Sequence, residues 1–202
     1  MKDCILYIHG FNSSPSSVKA QQTKHYLLTN FPAVTFFCPQ LATSPSAAIE
    51  QLIAIIDKQN SIEVSRWRII GSSLGGYFAG YLAEKYLCSA VLVNPAVKPY
   101  ELLVDYLGQQ VNPYTNEVYQ VSTDHIQQLK TIEPVAPPPN SSQKNNYLVM
   151  VQMGDEVLNY QEAVDKYKNC QLIVQEGGDH SFTDFEQSLP MICNFFHLIS
   201  HS

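Results

Sequence analysis

Ser73 stands in the run Gly71-Ser72-Ser73-Leu74-Gly75, a Gly-x-Ser-x-Gly pattern that takes its meaning from its surroundings. The apolar stretch Arg68-Ile69-Ile70 leads into it and a helix-forming stretch starts at Leu74, so the serine falls at a sharp strand-to-helix turn, as a nucleophile elbow requires. Side chains two residues to either side would collide with such a turn; Gly71 and Gly75 avoid this, and Gly76 allows close packing of the helix. The helix start offers positive potential and a free backbone N–H, that of Leu74. An elbow serine needs a base, and the base needs an orienting acid. His180 lies in Gly177-Gly178-Asp179-His180-Ser181-Phe182 and Asp155 in Gly154-Asp155-Glu156-Val157, each just past an expected strand. The chain order Ser73, Asp155, His180 is the one such a site uses. Glu156 and Asp179 are rival acids; Asp155 is preferred because it directly follows the turn glycine. His25, His125, His197 and His201 read as surface or helix residues. A second backbone donor for a developing oxyanion falls to Phe11, since His9-Gly10-Phe11 follows the first strand, with His9 orienting the loop.

Other chemistries fit less well. A phosphate-binding loop would need lysine where Tyr77 stands, and Gly71 and Gly75 are four apart, which breaks the dinucleotide pattern. There is no H-E-x-x-H and no C-x-x-C, so no metal and no other cofactor is expected. The plain alternative is a Gly/Ser turn without chemistry.

Short apolar runs alternate with amphipathic stretches and must position these residues. Strands are expected at 4–8, 34–38, 67–70, 90–93, 147–152 and 171–175. Helices are expected at 16–30, with Val18, Tyr26 and Leu27 as its apolar stripe and Ser16 or Ser17 as cap, and at 46–58, 74–86, 159–167 and 184–199. Strand–helix alternation implies an α/β fold: a mainly parallel sheet with helices on both faces. The rhythm breaks at about residues 97–146, a Tyr-, Gln-, Asn- and Pro-rich insertion without a strand pattern, with short helices near 99–107 and 123–131 and a stiff Glu133-Pro134-Val135-Ala136-Pro137-Pro138-Pro139-Asn140 connection. One domain over 1–202 with a short helical cap is the expected organisation.

Composition narrows the partners. Of 202 residues, 45% are hydrophobic, enough for a sizeable core. Twelve Lys+Arg against 18 Asp+Glu, with no basic stripe, speak against nucleic acid or an anionic membrane. No apolar run is long enough to insert in a membrane, and the first is too short for a signal-peptide core. Five scattered cysteines in apolar contexts suit a reducing compartment, so a cytoplasmic location is expected.

The sequence resembles the α/β-hydrolases, and within them the YqiA-type small bacterial esterases. The resemblance rests on Tyr7-Ile8-His9-Gly10-Phe11-Asn12-Ser13-Ser14-Pro15, Gly71–Tyr77, Val93-Asn94-Pro95-Ala96-Val97, Asp105–Gly108 with Asn112-Pro113-Tyr114, Gly154–Leu158 and Glu176–Phe182, which span almost the whole chain. It implies a Ser73–Asp155–His180 triad and hydrolysis of carboxylic esters, with acyl-CoA thioesters as a further substrate class. The expected partner is then a small-molecule ester or thioester. Alternatives are another serine-hydrolase specificity, thioesterase or peptidase, or a non-catalytic hydrolase fold that binds a ligand or partner. For substrate contacts the candidates are His9, Asn12, Leu103, Tyr106 and Tyr114, with Leu102 and Tyr119 as further cap residues for an acyl pocket. Each cap residue has the competing reading that it merely packs the cap.

Overall fold

The computed structural model describes residues 1–199; His201 lies outside them. Six strands, β1 (Lys2–Ile8), β2 (Thr35–Phe37), β3 (Ser65–Ser72), β4 (Ser89–Val93), β7 (Tyr147–Gln152) and β8 (Gln171–Gln175), form one sheet in the order β2-β1-β3-β4-β7-β8. Every pairing in it is parallel. Successive side chains of a strand point to opposite faces, so each buried strand feeds two cores. In β1, Cys4, Leu6 and Ile8 face one and Ile5 and Tyr7 the other.

The larger core is closed by α2 (Pro45–Ile62), through Ala48, Ile49, Leu52 and Ile56, and by α3 (Leu74–Tyr86), through Phe78, Ala79 and Leu82. Ala163 of α6 (Tyr160–Lys166) joins them. The smaller core is covered by α1 (Val18–Asn30) and α7 (Phe185–Phe195), through Ala20, Leu27, Phe185, Leu189 and Ile192. On this side of the sheet a buried face and a helix end depart from the sequence expectation. The buried stripe of α1 is Ala20, Thr23 and Leu27, while Val18 is exposed because the first turn of the helix borders an open cleft. The last helix stops at Phe195, not at 199, where the chain turns through a left-handed His197.

The insertion holds the two expected short helices, α4 (Pro99–Leu102), continued by a tight turn over Leu103–Tyr106, and α5 (Thr123–Thr131). Between them lies an antiparallel hairpin that the sequence did not announce, β5 (Gly108–Val111) and β6 (Val118–Val121), with Gly108 opposite Val121 and Val111 opposite Val118. Its strands are four residues each and rich in glutamine, too short and polar for a clear alternation. Leu103, Val121, Leu129 and Ile132 are buried in the larger core. The Tyr77 hydroxyl donates to the Leu129 carbonyl at 2.8 Å. The insertion is thus an extension of the main core.

Parallel strands bring their C-terminal ends to one edge of the sheet. The loop after β1, the turn after β3, Asn94 after β4, Asp155 after β7 and His180 after β8 all leave from that edge.

Candidate active site

Ser73 sits between β3 and α3 with φ 57° and ψ −123°, a strained backbone for a residue with a side chain. Its N–H donates to the Val93 carbonyl at 3.0 Å, and its own carbonyl accepts from Gly76 N and Ala96 N. Glycine is required on both sides by close approach. A Cβ on Gly71 would run into the Gly75 carbonyl and Ala79, and one on Gly75 into the carbonyls of Ile8 and His9. At Gly76 the close neighbour is Pro95 of the loop after β4.

His180 Nε2 lies 3.1 Å from Ser73 Oγ, and His180 Nδ1 lies 2.9 and 3.0 Å from the two Asp155 oxygens. Burial pushes the Asp155 carboxyl up, but the bond from His180 and the amides of Leu158 and Val157 outweigh it and hold the group below its ordinary range. An ionised Asp155 makes Nδ1 the donor and leaves Nε2 to accept the serine proton. The rival acids go elsewhere: Glu156 accepts from the His180 backbone N–H at 3.0 Å, and Asp179 accepts from the Ser181 hydroxyl.

Two residues not singled out from the sequence fasten the His180 loop. Gln152, at the end of β7, accepts from Asp179 N and Thr183 N and donates to the Thr183 carbonyl. Asn94 donates to the Asp179 carbonyl at 3.0 Å and accepts from Gln152 N at 2.9 Å. A polar side chain ending an apolar strand, as in Tyr147–Gln152, was the available signal. Gly178, at φ 72°, lets the loop lie on the Gln152 carboxamide, which a Cβ would strike.

The loop after β1 lies directly beside the serine: a Cβ on Gly10 would be 3.1 Å from Ser73 Cβ. His9 is 3% exposed. Its Nδ1–H donates to the Gly10 carbonyl at 3.0 Å, and its Nε2 accepts from Leu41 N at 3.3 Å, which fixes a neutral tautomer. Burial holds its imidazole below the ordinary histidine range, against the pull of the backbone bonds to Gly10 and Pro39. Phe11 follows Gly10 in that loop and lines the cleft that holds Ser73, and Leu74 opens α3 directly after the serine.

A cleft of about 670 Å³ opens over Ser73 and His180, within the range of small-molecule sites. His9, Asn12 and Tyr114 line it; Leu103 and Tyr106 do not. Leu103 is buried in the core, and Tyr106 packs edge-on against Phe11. Opposite the cap, Lys19 and Gln22 of α1 form the wall. Lys19 Nζ donates to the Ser181 carbonyl at 2.6 Å, and burial draws its ammonium down to about 8, opposed by the charges of Asp179 and Asp155. Among the described residues no cluster of His, Cys, Asp or Glu could hold a metal ion, and no helix is long and apolar enough to cross a membrane.

The family model of UPF0227, described as an uncharacterised protein family, matches residues 4–197. The chain belongs to that family. Among solved structures, this UPF0227 chain is similar to Est1E from Butyrivibrio proteoclasticus, at 15% identity and a TM-score of 0.70, over 98% of this chain and 87% of that one. It is similar to the mouse alpha/beta hydrolase domain-containing protein 10, at 16% identity and a TM-score of 0.69, over 96% and 89% of the two chains. The esterase domain of a Rhodothermus marinus protein superposes at 14% identity and a TM-score of 0.62, over 98% and 84%. The fold is that of the α/β-hydrolases.

Proposed function

We propose that this UPF0227 chain is a serine hydrolase that cleaves carboxylic esters through an acyl-enzyme on Ser73. The observation that carries the reading is the hydrogen-bond chain Ser73–His180–Asp155 at the floor of an open cleft, with the serine on a strained elbow. His180 Nε2 takes the hydroxyl proton as Ser73 Oγ attacks the ester carbonyl, and Asp155 stabilises the imidazolium. The amides of Phe11 and Leu74 receive the oxyanion, each such donor lowering the barrier by about 3–4 kcal/mol. The tetrahedral intermediate collapses with cleavage of the carbonyl–oxygen bond, and His180 gives its proton to the leaving alkoxide. Water, deprotonated by the same imidazole, then attacks the acyl-enzyme; the carbonyl–Oγ bond breaks, His180 returns the proton to Ser73 Oγ, and the acid leaves.

Oxygen esters of uncharged alcohols suit the cleft better than thioesters of a polyphosphate carrier. Lys19 is the one Lys or Arg among its described lining residues, against Glu156, Asp184 and Glu186. A polyanionic leaving group would meet a net negative rim. The Est1E structure with ferulic acid bound offers a precedent for a small carboxylic acid on this fold.

The test is a panel of acyl p-nitrophenyl esters and the matching acyl-CoA thioesters, run on wild type and Ser73→Ala. Turnover of the oxygen esters at higher kcat/KM, abolished in Ser73→Ala, is expected. Undiminished turnover in Ser73→Ala would overturn the acyl-enzyme, and preference for the CoA thioesters would overturn the assignment of substrate class.

A further inference from the structure

The Gly10–Ser13 loop, which carries the Phe11 amide, is held largely by side chains. From the body of the protein come His9, to the Gly10 carbonyl, and Gln40, whose Nε2 donates to the Ser13 carbonyl at 3.3 Å. From the cap hairpin come two more. The Tyr119 hydroxyl donates to Asn12 Oδ1 at 2.6 Å, and Asn112 Nδ2 donates to the Ser13 carbonyl at 3.0 Å. The Phe11 ring is caught by the insertion as well, edge-on to Tyr106 of the turn ahead of β5 at 5.2 Å and to Tyr119 of β6 at 6.3 Å between centroids.

The loop has reason to need holding, because Asn12 is in the left-handed region at φ 50°. The tethers themselves are rigid. Asn112 is 6% exposed, and its Oδ1 accepts from Tyr114 N and Thr115 N, which locks its amide. Tyr119 lies on the inward face of β6, two residues from Val121, which is buried in the main core. The chain of support therefore runs from the core through β6 and the hairpin turn to Asn12 and Ser13, and thence to Phe11.

We propose that the cap hairpin is a fixed brace for the oxyanion-side loop, in which Tyr119 and Asn112 are positioning residues that hold the Phe11 amide against Ser73. This rests on the serine-hydrolase reading above and adds to it the origin of one donor's preorganisation. A donor aimed at the oxyanion contributes only if it is held in place before the charge develops. A cap serving only as a pocket wall would affect how substrate binds; a brace affects how fast bound substrate reacts.

The experiment compares wild type, Tyr119→Phe, Asn112→Asp and, on the outer face of the same hairpin, Gln120→Ala. Tyr119→Phe removes one hydroxyl. Asn112→Asp keeps the turn-capping oxygen and replaces the donor to Ser13 with an acceptor. Steady-state hydrolysis of p-nitrophenyl butyrate, the rate of Ser73 labelling by a fluorophosphonate, and the midpoint of the acid limb of the pH–rate profile are read for each. Each cap variant should lose kcat by on the order of ten- to a hundredfold, less than the roughly 10²–10³ that accompanies loss of a whole donor. Labelling should slow in parallel, with KM within about threefold, the acid limb unmoved and Gln120→Ala like wild type. Wild-type kcat in both cap variants, or a raised KM at retained kcat, overturns the brace while leaving the hydrolase reading intact. A wild-type protein that neither hydrolyses the ester nor labels at Ser73 brings down both. Should the variants fold poorly, hydrogen exchange on the wild type decides: amides of 108–121 slow to exchange support the brace, and exchange at free-peptide rates beside a fully reactive Ser73 overturns it.

Discussion

Asp155 and Glu156 are chemically alike and adjacent, yet the fold gives them different work. Asp155 receives the imidazole Nδ1–H together with two backbone amides, whereas Glu156 meets only the backbone N–H of His180. The first contact fixes the tautomer that leaves Nε2 free to accept a proton; the second fixes only where the loop runs. Asp155→Asn should therefore lower kcat by several orders of magnitude, about 10⁴ by analogy with other triads. Glu156→Gln, which keeps an acceptor for the His180 N–H, should cost less than about tenfold. Single-turnover and steady-state rates on one ester check this, and a greater loss in Glu156→Gln would reverse the assignment. The sequence favours Asp155 only for its place directly after Gly154; the structure adds the side-chain direction, Asp155 towards the imidazole and Glu156 towards the backbone N–H of His180.

At the level of elements, the site depends on how strand ends are tied to the segments behind them. His9 joins the end of β1 to Leu41, ahead of α2, through a neutral ring. Its folded-state proton affinity is held below the ordinary 6.5 by burial, so in the acid range the unfolded chain binds a proton that the folded one refuses. The linked stability is present above 6.5 and is lost as pH falls from there toward the lower folded value. Urea unfolding at pH 7.5 and 5.5 should show the wild type losing more stability than His9→Asn over that interval; an equal loss would mean that His9 takes up its proton without strain. The strands and helices that carry the site were legible because burial imposes period: Leu6 and Ile8 alternate with Ile5 and Tyr7, and Ile49, Leu52 and Ile56 recur at helical spacing. The cap hairpin was not, since Gly108–Val111 and Val118–Val121 are short and polar, and the bonds of Tyr119 and Asn112 to Asn12 and Ser13 are contacts that local pattern cannot express. Leu103, a pocket candidate by its hydrophobicity, is buried for the same reason.

Across the whole molecule, a parallel sheet with a core on each face makes the site a product of the entire chain. Ser73 comes from the third strand, Asp155 from the seventh and His180 from the eighth, and the cap inserted between the fourth and seventh reaches back to the loop after the first. Glycines at 71, 75 and 178 and the polar ties of Gln152 and Asn94 bring those distant segments within hydrogen-bond distance. The function proposed above requires one chemical consequence of this arrangement above all, an activated serine hydroxyl. The most direct measurement is labelling of the full chain with a fluorophosphonate at neutral pH, with the adduct mapped by peptide mass, on wild type and His180→Ala. An adduct confined to Ser73 and lost in His180→Ala is the expected result. Equal labelling of the two proteins, or none of the wild type, would mean that Ser73 is not activated by His180, and a hydrolase fold that binds a ligand without turning it over would then be the better reading.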